Sequence, residues 1–207
     1  MATSTNPRGY FERLLVIDTE TSGLANADDA SYDPVSGKVY QIVSIGLIVV
    51  NAQTLKTIEE LYVEVKWDGI SEWSVGAQRV HGLSPEYLEA NGLDMCDAVV
   101  EVASLILRHW GPTSPVVLAG HNVVSFDMWF LKRLLRSEGI EVLFSNRTID
   151  TNALGFTIFS TFNSDDVFEQ VGCAARGGSK HNALDDARMS LQVIRTARTI
   201  GSTVLGD

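Results

Sequence analysis

A short apolar run, Leu14–Ile17, stops abruptly at Asp18-Thr19-Glu20. Four apolar residues with two β-branched members fit a strand buried in a sheet. Side chains two apart on a strand point to the same side. The Asp18 and Glu20 carboxylates can therefore face one point at the strand's end, and a fold built on this strand must place its rim there.

The rest of the chain supplies partners for such a strand. A polar stretch, Ala25–Lys38, reads as an exposed loop. Val39–Val50 and Thr57–Val65 read as two strands joined by a turn near Asn51–Lys56. After Asp94, Val99, Val102, Ile106 and Trp110 recur at helical spacing, and Gly111-Pro112 stops the helix. Pro115–Ala119 reads as a further buried strand. Ser125 is the expected cap of a helix running to Glu138, with Gly139 as its stop. Arg147–Asp150 closes another strand, two shorter helices follow, and the last helix spans Ala183–Ile200 with Met189, Val193 and Ala197 on one face. The order predicts an α/β fold: a five-stranded mixed sheet covered by helices, with polar loops gathered at one rim. Residues 1–12 read as a flexible N-terminal arm, 13–201 as a single domain and 202–207 as a tail.

Composition narrows the class. With 207 residues, 45% of them hydrophobic and 20% charged, the chain suits one soluble domain. The longest apolar run, Ile42–Val50, is broken by Ser44 and Gly46 and is far short of a membrane span, and MATSTNPRGYFER has no signal core. A cytoplasmic location without membrane contact is expected. Cys96 and Cys173 show no metal-ligand spacing and read as buried free thiols. The net charge of −10 opposes a protein that sheathes long duplexes. All of the excess acid lies in residues 1–104, with 6 basic and 16 acidic side chains; residues 105–207 carry 10 of each. An enzyme gripping one short strand end through bound cations is compatible with that balance.

Further carboxylates sit at element ends: Asp127 at a helix start, and Asp186 five residues after His181, around the start of the final helix. Two like charges about 4 Å apart cost about 4 kcal/mol at an effective dielectric of about 20. Convergence of Asp18, Glu20, Asp127 and Asp186 would therefore call for divalent cations. Hard oxygen ligands favour magnesium or manganese over zinc.

The segments Asp18-Thr19-Glu20-Thr21-Ser22-Gly23-Leu24, His121-Asn122…Phe126-Asp127…Phe130-Leu131 and His181-Asn182-Ala183-Leu184-Asp185-Asp186-Ala187 closely resemble the three motifs of DEDDh 3′–5′ exonucleases, which include polymerase proofreading subunits and ribonuclease T. Val80-His81-Gly82-Leu83 and Ile149-Asp150-Thr151 resemble two lesser family features, so the likeness covers residues 13–190. It implies a ribonuclease-H-like fold with strand order 3-2-1-4-5 and strand 2 antiparallel. It also implies two cations, Mg2+ or Mn2+, held by Asp18, Glu20, Asp127 and Asp186, with Asp18 bridging them and His181 as general base. Thr21, Gly23, Leu24, His81, His121, Asn122 and Phe126 become candidates for substrate contact. The implied reaction releases nucleoside 5′-monophosphates from the 3′ end of single-stranded DNA or RNA, with a homodimer or a polymerase or replication partner left open.

The sequence departs from the pattern twice. HNVVSFD is one residue longer than the common form of the second motif, and Ala25–Lys38, carrying Asp28, Asp29 and Asp33, is a longer loop than usual. Plainer readings stand elsewhere. Asp150 and Asp185 read as structural or solvated acids, His109 as a helix-end dipole contact, and Phe130 as core. Trp67 and Trp73 suit packing better than base stacking, and Lys132 and Arg136 suit a solvated face better than phosphate steering. Trp129 merely follows the helical pattern. Two other functions remain at this level: a catalytically silent binding module of the same fold, and a hydrolase of short oligonucleotides or nucleotide messengers.

Overall fold

The structure, a computed structural model, describes residues 11–174 and 180–205. Of the N-terminal arm expected at 1–12, residues 1–10 lie outside the described residues. Among the described residues five strands form one mixed sheet in the order β3-β2-β1-β4-β5, the ribonuclease-H-like order that the motifs implied. They are β1 (Arg13–Thr21), β2 (Ile42–Asn51), β3 (Thr57–Glu64), β4 (Leu118–Gly120) and β5 (Ile149–Asp150). β2 runs antiparallel to both β1 and β3, whereas β4 is parallel to β1 and to β5.

Among the described residues seven helices cover the sheet: α1 (Val75–His81), α2 (Pro85–Asn91), α3 (Met95–Trp110), α4 (Asp127–Ser137), α5 (Thr151–Phe159), α6 (Ser164–Gln170) and α7 (Ala183–Leu205). The pleat of β1 divides its side chains between two layers. Leu15 and Ile17 join the core under α3 and α4. Leu14 and Val16 join the core under α7, with Ala187, Leu191 and Ile194. Each such aliphatic side chain contributes roughly 1.5–3 kcal/mol by leaving water. The central strands are therefore apolar on both faces, and only their ends carry polar chemistry.

Several local expectations change. α1 and α2 occupy the stretch between the strand expected at Thr57–Val65 and the helix expected after Asp94, where no element was read; each is short, with a serine cap, Ser74 or Ser84, accepting a backbone N–H. Ser125 does not cap α4. The helix starts at Asp127 after Phe126, with no side-chain cap, and ends at Ser137 rather than Glu138. β2 starts at Ile42 because Val39 instead bridges to Tyr32 within the preceding loop. That loop is folded, with Ala30 and Ser31 buried and Asp29 accepting from the Ser31 amide at 2.9 Å. α7 runs past Ile200 to Leu205. Cys96 and Cys173 are free as expected, but exposed and half-buried respectively, not buried. Among the described residues no helix is long and apolar enough to cross a membrane.

Candidate active site

The strand alternation that sorts the core also sorts the acids. Asp18 and Glu20 continue the series of Leu14 and Val16 and face the α7 side; Thr19 continues that of Leu15 and Ile17 and faces α4. The structure bears this out on both faces.

On the α7 side, the segment before the helix delivers His181 and the helix's first turn delivers Asp186. The Asn182 side chain caps α7, its Oδ1 accepting from the amides of Leu184 and Asp185 at 3.1 and 3.2 Å. Asp186 thus lies in the first turn, where the helix dipole favours a carboxylate. His181 Nδ1 lies 3.3 Å from Asp186 Oδ2 and 3.9 Å from Glu20 Oε1. Glu20, His181 and Asp186 each offer one ligand atom to a space where all three atoms lie within 4.8 Å of one another. A cleft of about 250 Å³ opens over them, and Asp18 lies in its wall.

On the α4 side lies Asp127. It does not line the cleft; it is buried beneath Thr19, whose hydroxyl donates to Asp127 Oδ1 at 2.8 Å. Burial raises its pKa to about 7, with the Thr19 hydrogen bond acting in the opposite direction. The longer second motif is absorbed in a turn rather than in the helix. Asn122 adopts a left-handed φ of 58°, which asparagine tolerates, and its carbonyl accepts from Ser125 and Phe126.

The remaining substrate candidates divide. Thr21, Leu24, His81, His121 and Phe126 line the cleft with Asp18, Glu20, His181 and Asp186, whereas Gly23 and Asn122 do not. Leu24 is 60% exposed, a free apolar wedge at the mouth. Gly23 sets up that wedge with a φ of 154°, and a Cβ there would stand 2.6 Å from the Tyr40 ring. The Asn122 amide donates to Asp150 Oδ1, so this asparagine holds the turn. His81 ends α1 almost fully buried. Its Nδ1 accepts from the Leu83 amide at 3.0 Å, and its buried Nε2 has no hydrogen-bond partner among the described residues. Burial lowers its pKa to about 4, so the ring is neutral at pH 7. His121 Nδ1 lies 3.2 Å from Thr151 Oγ1, and its ring meets Phe168 edge to face.

Ala77, Val80, Ser164 and Phe168 also line the cleft, and sequence reasoning did not single them out as contacts. Ala77 and Val80 lie on the unanticipated α1, and Ser164 and Phe168 on α6, whose sequence carries no chemical signal. The plainer readings hold for most other positions. Asp150 caps α5, Asp185 pairs with Arg188 at 2.8 Å, and Phe130 is core. Trp67 and Trp73 pack edge to face on each other. Lys132 lies over the Trp129 ring, and Arg136 pairs with Glu141. His109 differs: its Nε2 meets Glu59 Oε2 at 2.6 Å, so an acidic partner holds it as well as the helix end.

Comparison with known proteins agrees with this geometry. The model of the ribonuclease T-type exonuclease family matches residues 15–194. No curated protein matches the chain. Among solved structures, E. coli Exonuclease I in complex with a dT13 oligonucleotide is similar with a TM-score of 0.72 at 15% identity, covering 95% of this chain and 43% of that one. The nuclease domain of 3′hExo, a DEDDh family member bound to rAMP, matches with a TM-score of 0.65 at 14% identity over 94% of each chain. A 3′-exonuclease that recognises the histone mRNA stem-loop matches with a TM-score of 0.65 at 16% identity, covering 92% of this chain and 65% of that one. This chain therefore spans less than half of Exonuclease I, and at such identities the likeness speaks for the fold. The family match over nearly the whole chain, with four acids and a histidine in their motif places, makes this protein a member of the DEDDh exonuclease family.

Proposed function

We propose that the protein is a divalent-metal-dependent 3′–5′ exonuclease that shortens single-stranded DNA or RNA and releases nucleoside 5′-monophosphates. The observation carrying this reading is the meeting of Glu20, His181 and Asp186 within 4.8 Å in a cleft also walled by Asp18. The donors suit hard cations: three carboxylates reach the cleft, and like charges at such spacing repel unless neutralised. Asp18, Glu20 and Asp186 would hold two magnesium or manganese ions, with Asp127 assigned to the set by its motif alone. Bound there, the ions would acidify a water molecule and offset charge on the departing 3′ oxygen.

The chain's own residues do the rest. With its proton on Nδ1, 3.3 Å from Asp186 Oδ2, His181 would carry its lone pair on Nε2 and there take the proton of the attacking water. Leu24 and Phe126, on the cleft wall, hold the terminal base between apolar surfaces. The neutral His81, buried beside the Thr21 backbone, fixes α1 against the end of β1. The dT13 oligonucleotide on Exonuclease I and the rAMP on 3′hExo support an unpaired strand end as the occupant. The complete set of acids and the histidine weighs against a silent binding module. The test is incubation of 5′-labelled DNA and RNA strands with magnesium, manganese or EDTA. A ladder of shortened labelled strands that vanishes with EDTA is expected; immediate release of the label as a mononucleotide would reverse the polarity.

A further inference from the structure

α5 (TNALGFTIF) is apolar on nearly every side, a pattern that ordinarily belongs to a buried helix. Its outer side is nevertheless open. Phe156 on α5 and Phe162 in the following turn are 52% and 56% exposed. Their rings stack face to face, with centroids 4.5 Å apart and planes 5° from parallel. Two large apolar rings left half in water together are costly on an isolated surface, roughly 25 cal/mol for each exposed Å².

The arrangement is held in place by several contacts. A Cβ on Gly155 would stand 2.4 Å from Val167 Cγ2, so α6 approaches α5 closely only because this position is glycine. Ser160 closes α5 in a left-handed conformation, φ 60°, which folds the turn back along the helix. Asn163 caps α6, and its own amide donates to Thr161 Oγ1 at 3.1 Å. Asn152 Nδ2 then reaches the Phe162 carbonyl at 3.4 Å and lies 3.5 Å from His121 Nε2. The ring pair is thereby tied to a histidine that lines the cleft. Ser164, two residues beyond Phe162, lines the cleft as well, so the rings start within about 7 Å of chain from it.

We infer that the Phe156–Phe162 pair is a stacking platform for unpaired bases upstream of the strand end held in the cleft, which rests on the exonuclease reading above. Base–aromatic stacking is indifferent to sequence, because every base has a π-face. The acidic first turn of α6, Asp165 and Asp166, flanks the platform, so bases rather than phosphates are what this surface accepts. A duplex, whose bases are already stacked and paired, offers the platform nothing.

The experiment compares wild type, the Phe156→Ala/Phe162→Ala double variant and Phe162→Trp on strands of two, four and eight nucleotides, with magnesium. Wild type should show KM falling as the strand lengthens, by roughly 5- to 150-fold, as expected for about 1–3 kcal/mol of stacking. The double variant should lose most of that gain while Phe162→Trp keeps it. Strands with abasic sites upstream should behave with wild type as intact strands do with the double variant. A double variant whose KM follows the wild-type length dependence overturns the platform and leaves the rings to a protein partner, with the nuclease reading intact. A wild-type protein that shortens none of the strands overturns the exonuclease reading itself.

Discussion

Gly46 lies against the backbone of Ala183, so close that a Cβ would stand 2.4 Å from the Ala183 carbonyl oxygen and from Leu184 Cα. Gly46 is also the register partner of Asp18 in the β1–β2 ladder. One missing side chain therefore lets the start of α7 lie directly on the sheet beside Asp18. Gly46→Ala should push this turn outward and carry Asp186 and His181 with it. Overpacking of this kind costs roughly 1–3 kcal/mol of stability. Turnover should fall about 10²-fold, in line with the sensitivity of catalysis to misplacements of about 1 Å. Urea denaturation and strand-shortening rates check both. A fully active Gly46→Ala protein would show that α7 has room to spare.

Glu20 and His181 meet in the same space but do different work in the proposed reaction. Glu20→Gln removes an anionic donor from the group of three, so manganese affinity and turnover should fall together. His181→Ala should lower turnover by about 10²–10⁴ through loss of the base. Its manganese binding, followed by calorimetry, should stay close to wild type. Equal loss of manganese affinity in both variants would make His181 a ligand rather than a base.

The strands and the shared face of Asp18 and Glu20 were legible in the sequence as local pattern, whereas the sheet order came through the likeness to the DEDDh motifs. Leu14–Ile17 alternates between two cores, and the same period of two carries Asp18 and Glu20 to one face. Asp127 was not legible in this way. Its place beneath Thr19 follows from which side of β1 faces α4, a tertiary fact that the motif does not encode. α1 and α2 were missed because each has only seven residues, too few for a periodic apolar face to stand out. Ser125 failed as a cap because the long second motif spends its extra residue in the Asn122 turn.

His81 should make the protein acid-sensitive. Burial holds its folded pKa at about 4, whereas an unfolded imidazole titrates near about 6.5. Above that upper value both states are neutral, and the group contributes no pH dependence. As pH falls from about 6.5 to about 4, the unfolded chain takes a proton that the folded one refuses, and stability drops. Between pH 7.5 and pH 5 this amounts to about 1–2 kcal/mol. His81→Gln should lose less stability than wild type across that interval in urea denaturation. Parallel losses in the two proteins would place the acid sensitivity elsewhere.

Asp127 should act with the opposite sign. Its folded pKa of about 7 lies above the ordinary carboxylate value of 3.8, because burial disfavours the charge. Below about pH 4 both states are protonated and the contribution to stability is fully present. As pH rises towards 7 the unfolded chain releases its proton while the folded chain keeps it, and stability is lost, on the order of a few kcal/mol in total. With EDTA present, wild type should therefore weaken between pH 5 and pH 8 more than Asp127→Asn, which has no proton to lose. Magnesium should narrow the gap, since a cation near the carboxylate favours its charged form. If magnesium leaves the gap unchanged, Asp127 lies beyond the reach of the ions, and the cation shell is built from Asp18, Glu20 and Asp186 alone.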